Sequence, residues 1–325
     1  MSLIDLPALA SLLVCPRCRS SLLESETSLS CSSRSCALHA EGSFPLVGRW
    51  PALVDFEGSI LVREDLGSSS EHGPLTGSRR WSIDRFPARF RSWWRPTNRV
   101  AVRNIDRLRS LLAGSSPLVL VVGGGTIGNG AEALYADPRL RLIAFDVYGS
   151  SVTQFIADAH QIPLANASVD AVVIQAVLEH VLDPQRVVEE IHRVLRGGGI
   201  VYAETPFLQQ VHAGPYDFHR YTSSGHRYLF RSFEEIATGA VAGPGTQVLW
   251  SIDHLVRALL RSEFAGKLAR SVLFWLRYLD RLVPTAFAMD DATAYYFLGR
   301  RAVSDVTPRE IVDYYRGAQR GEKGE

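Results

Sequence analysis

The 325-residue chain carries almost no net charge, +1 with its histidines neutral. So even a balance argues against wholesale binding to nucleic acid, though not against a local basic patch. It also lacks any stretch of eighteen residues that is both apolar and free of charge, so no segment reads as a membrane span. No basic region precedes the first apolar run, which stops at a cysteine within fifteen residues, and the chain reads as cytoplasmic. Cysteine is scarce: there are four, all between positions 15 and 36, which excludes a disulfide framework for the whole chain. There is no internal repeat. What remains is an ordinary globular composition, 46% apolar and 21% charged, long enough for one large domain and a small one.

The four cysteines form the first feature. Cys15-Pro16-Arg17-Cys18 with Cys31 and Cys36 gives C-x2-C-x12-C-x4-C. Two close pairs about a dozen residues apart can offer four thiolates to one tetrahedral zinc, with residues 21–30 read as a hairpin between them. So small a unit has too few apolar residues to fold alone, and metal would supply the stability. Two disulfides or free thiols are the other readings, and His39 is a further candidate ligand through Cys36-x2-His39. Four protein ligands leave no open position, so the site is structural. The stretch LLVCPRCRSSL, followed by LSC, Cys36 and FPLVGRWPALV, resembles the small zinc-ribbon proteins related to the adaptor subunit of tRNA and protein methyltransferases.

Residues 118–130, LVLVVGGGTIGNG, run apolar β-formers into three consecutive glycines, with a fourth at Gly128. A buried strand that ends in glycine and restarts as a helix lets backbone N–H groups approach a ligand closely. Two nucleotide-like cofactors suit such a turn. Gly123-x-Gly125-x-x-Gly128 with Asp146 downstream is a literal dinucleotide fingerprint. The other is the S-adenosylmethionine (SAM) loop of a methyltransferase, and Asp146, after a strand over 140–145, can accept both ribose hydroxyls in either case.

The segments further on decide between them. In order come Ala157-Asp158-Ala159-His160-Gln161-Ile162-Pro163, Ser168-Val169-Asp170-Ala171-Val172, Leu178-Glu179-His180-Val181-Leu182-Asp183-Pro184 and Arg193-Val194-Leu195-Arg196-Gly197-Gly198-Gly199. This succession resembles the type 11 family of class I SAM-dependent methyltransferases, over residues 118 to 205. The resemblance implies an α/β fold, a Rossmann-like seven-stranded class I methyltransferase sheet, here with a small N-terminal zinc ribbon. It also implies SAM as methyl donor. Gly123, Gly124 and Gly125 would pass under the methionine part, Asp146 would meet the ribose, Asp158 with Ala159 the adenine, and Gln175 the region of the sulfur. One departure stands out: the acid that the family carries two residues before the first glycine, which helps to order the SAM amino group, is Val121 here.

After the expected fifth strand (200–204) lies the segment TPFLQQVHAGPYDFHRYT, residues 205–222, which resembles a loop of type 11 enzymes from glycan and natural-product gene clusters. Methyl transfer needs positioning, and a base when the acceptor is a hydroxyl. An imidazole titrating near neutrality suits that base. His212 and His219 are the expected bases, with His180 a third candidate and Asp217 as orienting group. Arg220, Tyr216, Tyr221 and Trp93 are the expected substrate contacts, Arg220 to an anionic group. The competing reading is a loop closed by its own hydrogen bonds, with Asp217–Arg220 a structural ion pair. His212, Asp217 and His219 as a metal set do not match a known ligand spacing.

The remaining expectations concern organisation. Residues 1–57 read as the ribbon, and 58–96 as a linker with an arginine- and aromatic-rich cover segment that includes Trp93 and Trp94. Residues 97–303 read as the methyltransferase domain and 304–325 as a tail, disordered over 316–325. Within the domain the pattern predicts a helix from about 97 that buries Ala101, Ile105, Leu108 and Leu112, and another over 127–136. It predicts a third helix over 230–240 and a sixth strand over 246–252. A helical insert over 254–283 has single basic residues at helical spacing, a pattern for packing on the sheet, for a homodimer face or for peripheral membrane contact. A last antiparallel strand falls at 294–299. The function that follows is O-methylation of a small molecule or saccharide. The rivals are an RNA or protein acceptor recruited by the ribbon, an inactive scaffold and, more remotely, a NAD-dependent reductase.

Overall fold

Strand β1 (Leu118–Val122) is buried at every residue, as a parallel strand covered on both faces must be. Along the chain follow β2 (Arg141–Asp146), β3 (Phe155–Ile156), β4 (Val169–Gln175), β5 (Leu195–Pro206), β6 (Phe233–Ala242) and β7 (Ala294–Arg301). The sheet order is β6-β7-β5-β4-β1-β2-β3. The first five strands are parallel, and β7 runs antiparallel between β5 and β6. This is the class I methyltransferase sheet. The structure, a computed structural model, describes residues 3–25, 28–66 and 96–320. The arginine- and aromatic-rich segment, Trp93 included, lies outside them up to residue 95, as do the Gly67–Pro74 stretch and residues 321–325.

Each face of the sheet has its own core. Val119, Val121, Leu142 and Ala144 pack against the helix Arg99–Leu111, which buries Ala101, Ile105 and Leu108 at helical spacing while Arg99, Arg103 and Arg107 stay exposed. On the other face, Leu120, Val122, Ile143 and Phe145 pack with Val187, Ile191 and Val194 of the helix Pro184–Val194.

The N-terminal unit joins that second core. Its antiparallel hairpin, Leu22–Glu24 with Leu29–Cys31, and a shorter pair, Leu46–Val47 with Trp50–Pro51, flank the cysteines. Leu9, Leu13, Cys15, Cys31, Phe44 and Leu53 belong to the same cluster as Leu120 and Phe145. Polar contacts fix the docking. Ala52 bridges Ile156 in parallel at the free side of β3, and Leu53 N–H donates to the Ile156 carbonyl at 2.8 Å. Trp50 Nε1 donates to the Thr153 carbonyl at 3.1 Å, and Arg19 pairs with buried Glu190 at 2.7 Å.

Four local expectations are corrected. Residues 233–240, expected in a helix over 230–240, lie in β6, which pairs with β7 through two register shifts. Residues 246–252, expected as a strand, lie inside the helix Pro244–Leu260. Proline at the first turn favours that start, and Asp280 caps it from a distance, accepting from Gly245 N–H at 2.7 Å and Thr246 Oγ1 at 2.6 Å. The helical insert therefore begins ten residues earlier than the expected 254 and continues through Glu263–Val272. The helix expected over 127–136 is only Glu132–Ala136, because Gly130 before it adopts φ +89°. In the tail, Pro308–Asp313 is a helix with a Thr307/Glu310 capping box, and Ala318 N–H is held by Asp290 at 2.8 Å.

Candidate active site

The glycine turn after β1 is shaped for close approach. Gly123 has φ +71°, and a Cβ there would lie 2.2 Å from Val177 Cγ2, so neither the conformation nor the space admits a side chain. Gly125 N–H and Val147 N–H donate to the two carboxylate oxygens of Asp146, at 2.8 and 2.7 Å. Burial outweighs these bonds and raises the Asp146 pKa to about 6.

At the carboxyl ends of β1, β2 and β4 opens a cavity of 550 Å³, within the range of about 300–1,000 Å³ usual for small-molecule sites. Its walls bring together five of the expected cofactor residues: Gly123, Asp146, Asp158, Ala159 and Gln175. Gly124 and Gly125 stand behind the wall, bonded through their N–H groups to the Phe145 carbonyl and to Asp146. The cavity accordingly has the carboxylates, the glycine cradle and the size that SAM requires.

Asp158 is held by groups the sequence did not reveal. It accepts from His160 N–H at 2.9 Å, from His160 Nδ1 and from the Ser59 hydroxyl. Asp183 N–H donates to His160 Nε2 at 3.1 Å, which leaves the ring proton on Nδ1, facing Asp158. Burial favours the neutral acid, but these donors prevail and hold the Asp158 pKa below the usual carboxylate value. Ile60 joins the cavity wall. Of two residues expected as linker, Ile60 thus lines the pocket and Ser59 holds one of its acids.

A second carboxylate was also missed. Glu204 lies in the wall, buried, bonded by Asn98, Gln175 and Tyr202. Its signal was present, since it ends the fifth strand expected over 200–204 as Asp146 ends β2, at the edge where α/β sheets bind ligands.

At the rim, the structure gathers Glu179, His180, His212 and Asp217. His180 is the histidine of this group that lines the cavity. Its Nδ1 bonds the Tyr216 carbonyl at 2.7 Å, and burial holds its pKa below the ordinary value. The His180 and His212 rings meet edge to face at 4.9 Å, and each Nε2 faces Glu179 Oε1, at 3.8 and 3.9 Å. Glu179 is buried, its Oε2 has no hydrogen-bond partner among the described residues, and burial pushes its pKa up to about 8. His212 N–H donates to Asp217 at 2.9 Å.

Other expected residues sit elsewhere. His219 Nε2 lies 3.1 Å from the Leu182 carbonyl, and its ring stacks with Tyr221, so the structure does not bring either to the cavity. Arg220 grips Asp217, and its hydrogen bond lowers the Asp217 pKa to about 2. Further bonds to the carbonyls of Gln209, Gln210 and His219 commit all five guanidinium N–H groups. In this arrangement Arg220 has no donor left for the expected anionic group, and the ion pair is a strut of the loop. Tyr216 contributes its carbonyl rather than its ring.

The four cysteine sulfurs lie within 4.8 Å of one another. Cys18–Cys31 is 3.4 Å and Cys15–Cys36 is 3.9 Å. Four thiolates about 2.3 Å from a common zinc sit at roughly such spacings, far beyond the ~2.05 Å of a disulfide. The donor set fits zinc. His39 is not among the residues whose ligand atoms gather there, and its Nδ1 bonds the Cys31 carbonyl at 2.6 Å.

Comparison with known proteins bears on this cavity. A family profile described as "Methyltransferase domain" matches residues 122–203. A protein of Mycolicibacterium smegmatis named "Probable S-adenosylmethionine-dependent methyltransferase" is 38% identical over 98 residues, 27% of this chain and 37% of that protein. A Mycobacterium tuberculosis protein of like name is 48% identical over 50 residues, 15% of this chain and 18% of its own. The chain thus spans well under half the length of these curated relatives. Among solved structures, the [4+2]-cyclase SpnF aligns at 18% identity over 63% of this chain and 82% of its own, with a TM-score of 0.41.

Proposed function

We propose that this protein is a SAM-dependent methyltransferase that acts on a hydroxyl of a small molecule or saccharide. The observation that carries the reading is the cavity in which Gly123, Asp146, Asp158 and Gln175 converge beneath the His180 rim. Asp146 would take the ribose hydroxyls, using the lone pairs its two backbone bonds leave free. Asp158, held by His160 and Ser59, would take the adenine amino group. Bound there, SAM supplies an electrophilic methyl group for in-line displacement.

This chain's own part is to orient the acceptor and remove its proton. His180 and His212 are the candidate bases. Glu179 lies behind both rings, and Asp217 holds His212 from the backbone side. The cysteine cluster would hold one structural zinc. We assign the domains as ribbon (1–57), connecting segment (58–96), catalytic domain (97–303) and tail (304–325). No helix among the described residues is long and apolar enough to cross a membrane. The exposed Leu255, Leu259, Phe264 and Leu268 of the insert, beside Arg257 and Arg261, form its surface for a second copy or a lipid face.

The test is calorimetric titration of the full chain with S-adenosylhomocysteine (SAH), beside NAD, followed by turnover of SAM over a panel of hydroxyl acceptors. Micromolar SAH binding lost in Asp146→Ala and Asp158→Ala, with His212→Ala or His180→Ala lowering kcat at unchanged SAH affinity, is the expected result. Binding of NAD instead, or SAH binding with no turnover on any acceptor, would sink it.

A further inference from the structure

Glu204 is a buried acid that the chemistry above does not use. The strand register sets it beside Gln175 of β4. One row below, on the same face of the sheet, stand Tyr202, Val173 and Val121. Four hydrogen bonds converge on its carboxylate. Asn98 Nδ2 reaches both oxygens, at 3.1 and 2.9 Å, Gln175 Nε2 donates at 2.7 Å, and the Tyr202 hydroxyl donates to Oε1. Every donor is neutral, and among the described residues no cation contributes to its environment. Burial pushes its pKa upward.

A carboxylate kept out of water without a positive partner is unfavourable, and a cationic ligand group relieves it. The three donors hold the carboxylate in place in the cavity wall. Asn98 also caps the helix Arg99–Leu111 through Ala101 N–H at 3.0 Å, and Gln175 also bonds the Asn129 carbonyl at 3.2 Å. Neither side chain can turn away without loosening a second contact.

We propose that Glu204 binds the α-ammonium group of the methionine moiety, acting from the end of β5 where a carboxylate at position 121 would act from β1. The inference rests on the reading of the cavity as a SAM site. Asn98 and Gln175 are its positioning residues, and Val121 is then an apolar floor rather than a missing contact.

Two ligands separate this proposal from the cofactor reading itself. SAH carries the ammonium, and 5′-methylthioadenosine shares the nucleoside but lacks it. Calorimetry on the full chain should show Glu204→Gln weakening SAH about 10- to 100-fold, the loss expected for one charge-assisted contact. Methylthioadenosine should bind wild type and variant alike, and Glu204→Asp, which keeps the charge, should retain more SAH affinity than Glu204→Gln. Unchanged SAH affinity, an equal loss for both ligands, or equal effects of the two substitutions would overturn the proposal. Should wild type bind neither ligand, the cofactor reading fails with it, and that outcome is distinct from the others.

Discussion

The hydroxyl of Ser59 donates to Oδ2 of Asp158, so a residue just past the cysteine-bearing unit holds the acid assigned to adenine. Ser59→Ala removes a bond to a buried carboxylate, of the kind worth about 1.5–3 kcal/mol. With part of that recovered by water, SAH affinity should fall about 3- to 10-fold while the fold persists. Calorimetry checks it; an unchanged Kd would mean that Asp158 does not touch the ligand.

Metal analysis of the purified chain should find one zinc, and Cys31→Ser should lose it. Because Cys15 and Cys31 lie in the same core as Leu120 and Phe145, the variant should also melt at a lower temperature. Chelation should lower SAH affinity as well, through residues 52–61. A chain that binds SAH normally after complete zinc removal would show that the ribbon and the cavity are uncoupled.

Ligand binding should depend on acidity through Asp146. Its pKa is raised to about 6 by burial, and only the ionised form can accept two ribose hydroxyls. SAH affinity should therefore be full near pH 8 and decline as the pH falls through 6. Methylthioadenosine, which carries the same ribose, should follow the same curve. A flat profile between pH 5 and 8 would remove Asp146 from the contact.

Glu179 gives a stability prediction of definite sign. Its folded pKa of about 8 lies above the ordinary 4.5, so its contribution is fully present below 4.5 and lost as the pH rises through 8. Glu179→Gln cannot ionise. The melting temperature of the variant should gain on wild type steadily between pH 5 and 8.5. A constant difference across that range would mean that Glu179 already titrates normally.

Much of this was legible in the sequence. The uninterrupted apolar run of β1, the cysteine spacing and the acids at Asp146 and Asp158 are local signals, and both acids line one cavity with Gln175, which only the family resemblance pointed to. What escaped is set by distant partners. The start of the helix Pro244–Leu260 depends on Asp280, and residues 233–242 are drawn into the sheet by pairing with β7. Ser59 and Ile60 look like linker because nothing in their own sequence betrays Asp158. Arg220 misled for a related reason, since its chemistry suits an anion while its five N–H groups are taken by its own loop.

The bridge between Ala52 and Ile156 has a consequence for how the protein survives its own synthesis. β3 ends the sheet, and an uncovered strand end is a template for pairing with another molecule. Residues 52 and 53 occupy that side of β3 in this chain. Their hold depends on the cysteine-bearing unit, which shares a core with Leu120 and Phe145 and for which we propose a structural zinc. If that zinc holds the unit in place, newly made chains that wait for it would leave the strand bare, and self-association rather than lost catalysis would be the first damage of zinc shortage.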